Sequence, residues 1–151
     1  MNLKKLIISI LIPNLFGFLG SLLGGGTEGY VEIVRPGFAP PGIVFPIVWT
    51  ALFILMGISS YIIYISDNAN KDKALLYYLI QLVLNSMWTF FFFRMQWYLF
   101  SFIWILLILT FVILMFIEFY KINKTAAYLQ IPYILWLVFA GILNIAIYLL
   151  N

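Results

Sequence analysis

The 151-residue chain has no cysteine and no histidine, and only 9% of its residues are charged. Without cysteine there is no disulfide and no thiolate metal site. Without histidine as well there is no Ser-His-Asp or Cys-His pair, no ordinary zinc centre and no common axial ligand for haem iron. A soluble domain carries about 25% charge and about 45–50% apolar residues. Here 66% of the residues are hydrophobic, which argues against a water-soluble fold.

The few charges lie in islands: Lys4 and Lys5; Glu28, Glu32 and Arg35; Asp67, Lys71, Asp72 and Lys73; Arg94; Glu118, Lys121 and Lys124. Between them run charge-free stretches, approximately 6–26, 40–66, 74–93, 97–117 and 125–150. Each provides the roughly 20 residues that a helix rising 1.5 Å per residue needs to cross about 30 Å of hydrocarbon. Backbone groups must be paired inside lipid, and no period-2 alternation supports a barrel, so the expectation is an all-α membrane protein, a bundle of five transmembrane helices spanning residues 1–151 as one domain. The first stretch has a second reading as a cleaved signal peptide, because a lysine pair precedes an apolar run and a small-residue tail; the run is longer than a signal core and lacks an A-x-A site.

Lys4, Lys5, Lys71, Lys73, Lys121 and Lys124 fall at one end of the bundle, and only Arg35 and Arg94 at the other. By the positive-inside rule the N-terminus faces the cytoplasm. The net charge of +3 is explained by this anchoring, so no nucleic-acid partner is implied. No charge lies deep inside any stretch, where proton-coupled pumps usually keep one, which argues against active transport.

Aromatics, by contrast, make up 20% of the chain, with five tryptophans. Interfacial belts and lipid-facing bulk account for most phenylalanines and for Trp97. Three stripes need another explanation. On the third stretch Tyr78, Gln81, Asn85, Trp88 and Phe92 are spaced 3, 4, 3 and 4, one helical face at about 100° per residue. The amides of Gln81 and Asn85 lose hydrogen bonds in lipid, so this face points toward protein, as interhelical glue, or toward a polar cavity. The fifth stretch repeats the pattern with Tyr133, Trp136, Ala140 and Asn144, where Ala140 leaves a gap that suits a flat guest or a neighbouring helix. In the second, Phe45, Trp49, Met56 and Ser60 share a side. Three convergent faces, each with an indole and a polar neighbour, predict a ligand pocket.

Pro36, Pro40, Pro41 and Pro46 stiffen the entry to the second stretch. With a helix beginning at Pro40, Pro46 bends it one turn in, and Pro132 kinks the fifth stretch likewise. Gly20-x-x-x-Gly24 permits close helix contact, at a dimer seam or within one subunit.

Three blocks resemble the translocator protein family, also known as TspO, tryptophan-rich sensory protein or peripheral benzodiazepine receptor. "RPGFAPPGIVFPIVWTALFILMGISS" is similar to the family's KPxWxPPxxxFxxVWxxLYxxMGxAS, with Arg35 for Lys and Phe38 for Trp. "YYLIQLVLNSMWTFFF" is similar to YxxQLxLNxxWxxxFF, and "AAYLQIPYILWLVFAGILNIAIYLLN" to AAxLxxPYxxWxxFAxxLNxxIxxLN. The resemblance implies a multi-pass protein of a bacterial cell membrane, often a homodimer, with a pocket lidded by the loop between the first two helices. It implies a protein that binds protoporphyrin IX and other flat apolar molecules, together with isoquinoline carboxamide and benzodiazepine-type ligands, and that requires no cofactor. The family positions carried over fall on Trp49, Asn85, Trp88, Trp136, Phe139, Ala140, Leu143 and Asn144, to which Tyr30, Phe45 and Gln81 add polar or aromatic edges. Light- and oxygen-dependent porphyrin breakdown, attributed to two tryptophans in bacterial members, implies Trp49 and Trp136 as catalytic here. A conduit for porphyrins or other small apolar molecules is the alternative. Where the family has tryptophan in the lid, this chain has Gly29, which predicts a looser lid. No basic residue follows Tyr148, which weighs against cholesterol.

Overall fold

A computed structural model describes residues 1–26, 30 and 32–151. Gly29, the departure in the lid, falls outside them. All five stretches are helical: α1 (Leu3–Gly24), α2 (Val44–Tyr64), α3 (Lys71–Arg94), α4 (Tyr98–Ile122) and α5 (Lys124–Leu150). Each is long and apolar enough to cross a membrane, and no strand occurs among the described residues. The protein is an all-α, multi-pass membrane protein.

Helix α1 packs along both α2 and α3, and α4 along both α3 and α5. The ring therefore runs α2, α1, α3, α4, α5. It closes tightly at one end, where Ser59 Oγ on α2 donates to the Ala126 carbonyl on α5 at 2.7 Å. Toward the other end, aromatic side chains fill the space between these two helices: Trp49 lies 6.0 Å from Tyr133 and 6.3 Å from Trp136 between ring centroids.

Small residues bring α1 in. Pro13 lies inside α1 and has no N–H, so the Ser9 carbonyl lacks its intrahelical donor. That carbonyl faces Gly57 of α2, where a Cβ would sit 2.7 Å from it and closer still to Ile10 Cα. At Gly20 a Cβ would lie 3.0 Å from the Ser86 carbonyl oxygen, and at Gly24 2.9 Å from Thr89 Cβ, both on α3. The Gly20-x-x-x-Gly24 seam is thus taken by α3 of the same chain, with Thr89 Oγ1 donating to the Gly20 carbonyl.

The proline expectations need one correction. Helix α2 starts at Val44 rather than Pro40, so Pro46 falls in its first turn, where a missing N–H costs nothing and no bend follows. Pro36 and Pro41 instead supply carbonyls to turns, accepting from Ala39 N and Val44 N, each at 3.0 Å. Pro132 does interrupt α5. A short helix, Lys124–Tyr128, ends in a turn at Leu129 and Gln130 before Ile131–Leu150 begins with proline in its first two positions.

Two features lie outside the sequence reading. The last turn of α3, Phe90–Arg94, widens into a π-helix, with Met95 N donating to the Phe90 carbonyl at 3.0 Å. Near the opposite end of the bundle Glu118 is buried one turn inside the end of α4, 3.6 Å from Lys73 and 3.5 Å from Lys121.

Candidate functional site

The end of the bundle reached by the C-terminal halves of α1, α3 and α5 carries the candidate site. A cavity of about 450 Å³ lies between α1, α2 and α3. Ligand pockets span about 300–1,000 Å³, so the volume suits a small organic molecule. Trp49, Phe45 and Phe53 form the α2 wall, and Asn85, Trp88 and Phe93 the α3 wall. The α1 wall is low, built from Gly17, Gly20 and Gly24. Phe18, Ser21, Pro46 and Thr50 also line the cavity and are exposed on the outside of the bundle, so it opens sideways between α1 and α2.

Of the residues expected at a pocket, Phe45, Trp49, Asn85 and Trp88 line this cavity. Tyr30, Gln81, Trp136, Phe139, Ala140, Leu143 and Asn144 do not. Two of the three indoles thus border one hollow, and the third stands one ring behind. Trp136 meets Trp49 edge to face and packs 6.0 Å from Phe45 and 5.3 Å from Phe139. Its indole N–H is buried with no acceptor. The gap at Ala140 is filled by α4: Ile105 and Ile108 close on it, with Leu137, Trp49, Asn85 and Trp88, leaving a void of only about 10 Å³.

The amides hold the walls in place. Asn85 Nδ2 donates to the Tyr133 hydroxyl at 2.8 Å, and that hydroxyl donates to Gln81 Oε1 at 2.6 Å. Asn144 Oδ1 accepts from Trp88 Nε1 at 3.1 Å, while its Nδ2 donates to the Tyr98 carbonyl at 2.7 Å. Trp88 also stacks on Phe92 at 4.8 Å. Gln81 and Asn144 are therefore interhelical ties, whereas Asn85 is both a tie and part of the cavity lining. Leu143 is packed in the core.

The segment between α1 and α2 folds over the α2–α5 side. Tyr30 is 1% exposed, donates its hydroxyl to the Pro40 carbonyl at 2.8 Å and packs edge-on against Phe45 at 5.1 Å. The Arg35 guanidinium covers its ring at 4.8 Å. Burial pushes the Tyr30 phenol above its ordinary value, and Arg35 opposes this. Asn151 then clamps the segment: Nδ2 donates to the Val34 carbonyl at 2.8 Å, and Oδ1 accepts from Val34 N at 3.2 Å. These ties fix Tyr30, Val34 and Arg35 against the bundle; the looser lid expected from Gly29 concerns a residue outside those described.

Two further residues lay outside the sequence-based site. Trp104 donates its N–H to the Leu84 carbonyl at 2.8 Å, tying α4 to α3. Gln130 is fully buried with both amide atoms unpartnered. Its position one turn before Tyr133 on the α5 stripe was the available signal. Among the described residues no cluster of acidic residues could hold a metal ion.

A ring of five membrane-crossing helices with a laterally open, tryptophan-walled cavity at one end defines an integral membrane protein of the helical-bundle class. A profile of the TspO/MBR family matches residues 9–150. The tryptophan-rich protein TspO of Archaeoglobus fulgidus is 37% identical over 153 aligned positions, covering 100% of this chain and 99% of that protein. The translocator protein of Sus scrofa is 32% identical, covering 91% of this chain and 85% of its own length. The tryptophan-rich sensory protein of Cereibacter sphaeroides is 30% identical, with 82% and 77% covered. The chain belongs to the TspO/MBR family.

Proposed function

We propose that this protein is a tetrapyrrole-binding membrane receptor or regulator that takes protoporphyrin IX into the α1–α2–α3 cavity. The observation that carries the reading is the pair of indoles, Trp49 on α2 and Trp88 on α3, that line the same cavity of about 450 Å³ together with the Asn85 amide. A flat aromatic guest gains dispersion against both walls, and stacking on aromatic side chains contributes about 1–3 kcal/mol per contact by analogy with nucleobases. Two such contacts plus burial support micromolar affinity without a metal ligand. The same walls accommodate isoquinoline carboxamide and benzodiazepine-type molecules, whose carbonyls would meet Asn85.

The lysine-rich end faces the cytoplasm in this reading, which places the cavity in the outer half of the membrane. Assembly as a homodimer would use faces other than the Gly20–Gly24 seam.

Titration of the purified protein with protoporphyrin IX in darkness, followed by quenching of tryptophan emission, tests the proposal. Saturable quenching that weakens in Trp49→Phe supports it; linear, non-saturating quenching identical in wild type and variant refutes it.

A second reading, a conduit for small apolar molecules, draws on the sideways opening between Phe18 and Ser21 on α1 and Pro46 and Thr50 on α2. The pig relative is named a translocator protein. Flux of a porphyrin across proteoliposomes, absent when the opening is cross-linked, separates a conduit from a receptor.

A further inference from the structure

Among the described residues Arg94 is a charged side chain placed beside the cavity, at the end where α1 and α3 finish, and the binding reading above gives it no part. It follows Phe93, which lines the cavity, and its guanidinium would lie 3.4 Å from a Cβ at Gly25, between the lining residues Gly24 and Gly26. It donates to the Leu22 carbonyl at 3.4 Å. That bond uses one of the five N–H donors of a guanidinium. Among the described residues Arg94 enters no ion pair. Gly25 and Gly26, at φ 73° and 87°, have no side chains to cover it.

Resting on the tetrapyrrole reading, we infer that Arg94 anchors a carboxylate of the guest, so that the site selects amphiphilic aromatic acids over their neutral counterparts. The cavity is apolar at Trp49, Phe53 and Trp88, and its cationic mark lies six residues along α3 from Trp88, somewhat under the roughly 9 Å of an α-helix because the π turn Phe90–Arg94 rises less per residue. A porphyrin held flat between the indoles has a propionate of about that reach. A charged acid cannot sit deep among these rings without a partner. At the membrane interface a guanidinium presents paired N–H groups that match a carboxylate in geometry and charge. Arg35, the other cation at this end, already covers the Tyr30 ring on the far side of Phe45.

The test compares protoporphyrin IX with its dimethyl ester on wild type, Arg94→Gln, Arg94→Lys and Arg35→Gln, in darkness, by tryptophan quenching. Wild type should bind the acid about tenfold tighter than the ester, the ratio given by one charge-assisted hydrogen-bonded pair. Arg94→Gln should abolish that preference while leaving ester affinity unchanged, which also reports an intact fold. Arg94→Lys should retain part of the preference and Arg35→Gln all of it. Equal binding of acid and ester by wild type overturns the inference and leaves the tetrapyrrole reading standing. A preference that survives Arg94→Gln also overturns it. Failure of wild type to bind either form removes both.

Discussion

Trp49 of α2 and Trp136 of α5 meet edge to face, ring centroids 6.3 Å apart and planes at 88°. Of these two, only Trp49 borders the 450 Å³ cavity, so a guest there would meet Trp136 through its neighbour. If bound porphyrin is destroyed under light and oxygen, the first indole oxidised is Trp49, with Trp136 as a relay behind it. Illumination of the porphyrin complex in air should then convert the pigment. Trp49→Phe should abolish the conversion and Trp136→Phe slow it, whereas dark or anaerobic samples should stay unchanged. Equal bleaching in protein-free detergent would rule the chemistry out.

Gly57 meets the backbone of α1 at Ser9 and Ile10, with no room for a methyl group. Gly57→Ala should force the two helices apart and cost about 1–3 kcal/mol, the usual penalty for overpacking. Gly37, where nothing lies within 4 Å of an added Cβ, is the control, and Gly37→Ala should be neutral. Thermal unfolding in detergent reads both. Equal midpoints would mean that α1 is not seated as described.

The Tyr133 hydroxyl sits between Asn85 and Gln81. Tyr133→Phe leaves Gln81 Oε1 without its donor and Asn85 Nδ2 without its acceptor, at about 1–3 kcal/mol for buried groups in general and nearer 0.6 kcal/mol by the average for membrane bundles. The unfolding midpoint should fall. Asn85, released from α5, should also lose its fixed orientation at the cavity, so porphyrin affinity should fall with it. A variant as stable as wild type with unchanged affinity would contradict the role given to this bond.

The Asn151–Val34 clamp crosses 117 positions of sequence to hold the cover of the bundle. Asn151→Ala should speed amide exchange at Ile33 and Val34 while leaving α3 and α4 protected. Uniform protection in wild type and variant would show that other contacts suffice.

These relationships were unequally legible. The stripe Gln81, Asn85, Trp88 declared itself because amides and an indole repeat at helical spacing, and all three are buried. Whether an amide ties helices or lines a hollow depends on what the neighbouring helix brings. At Ala140 the neighbour is α4, whose Ile105 and Ile108 fill a gap that α5 alone leaves open. Pro46 misled because its effect depends on where α2 begins, and the turns at Pro36 and Pro41 move that start to Val44. The π turn at Phe90–Arg94 has no proline or glycine to mark it. Three of the four successive phenylalanines, Phe91, Phe92 and Phe93, pack there against Trp88, Trp97, Tyr98 and Trp104, a set of contacts that local sequence does not display.

The most direct measurement is dark titration of protoporphyrin IX against wild type, Trp49→Phe, Trp88→Leu and an exposed-indole control, Trp97→Phe. A guest seated between α2 and α3 requires saturable micromolar binding in wild type and in Trp97→Phe, and losses of roughly fivefold or more in each cavity variant. Equal affinity across all four proteins would contradict a porphyrin site between Trp49 and Trp88.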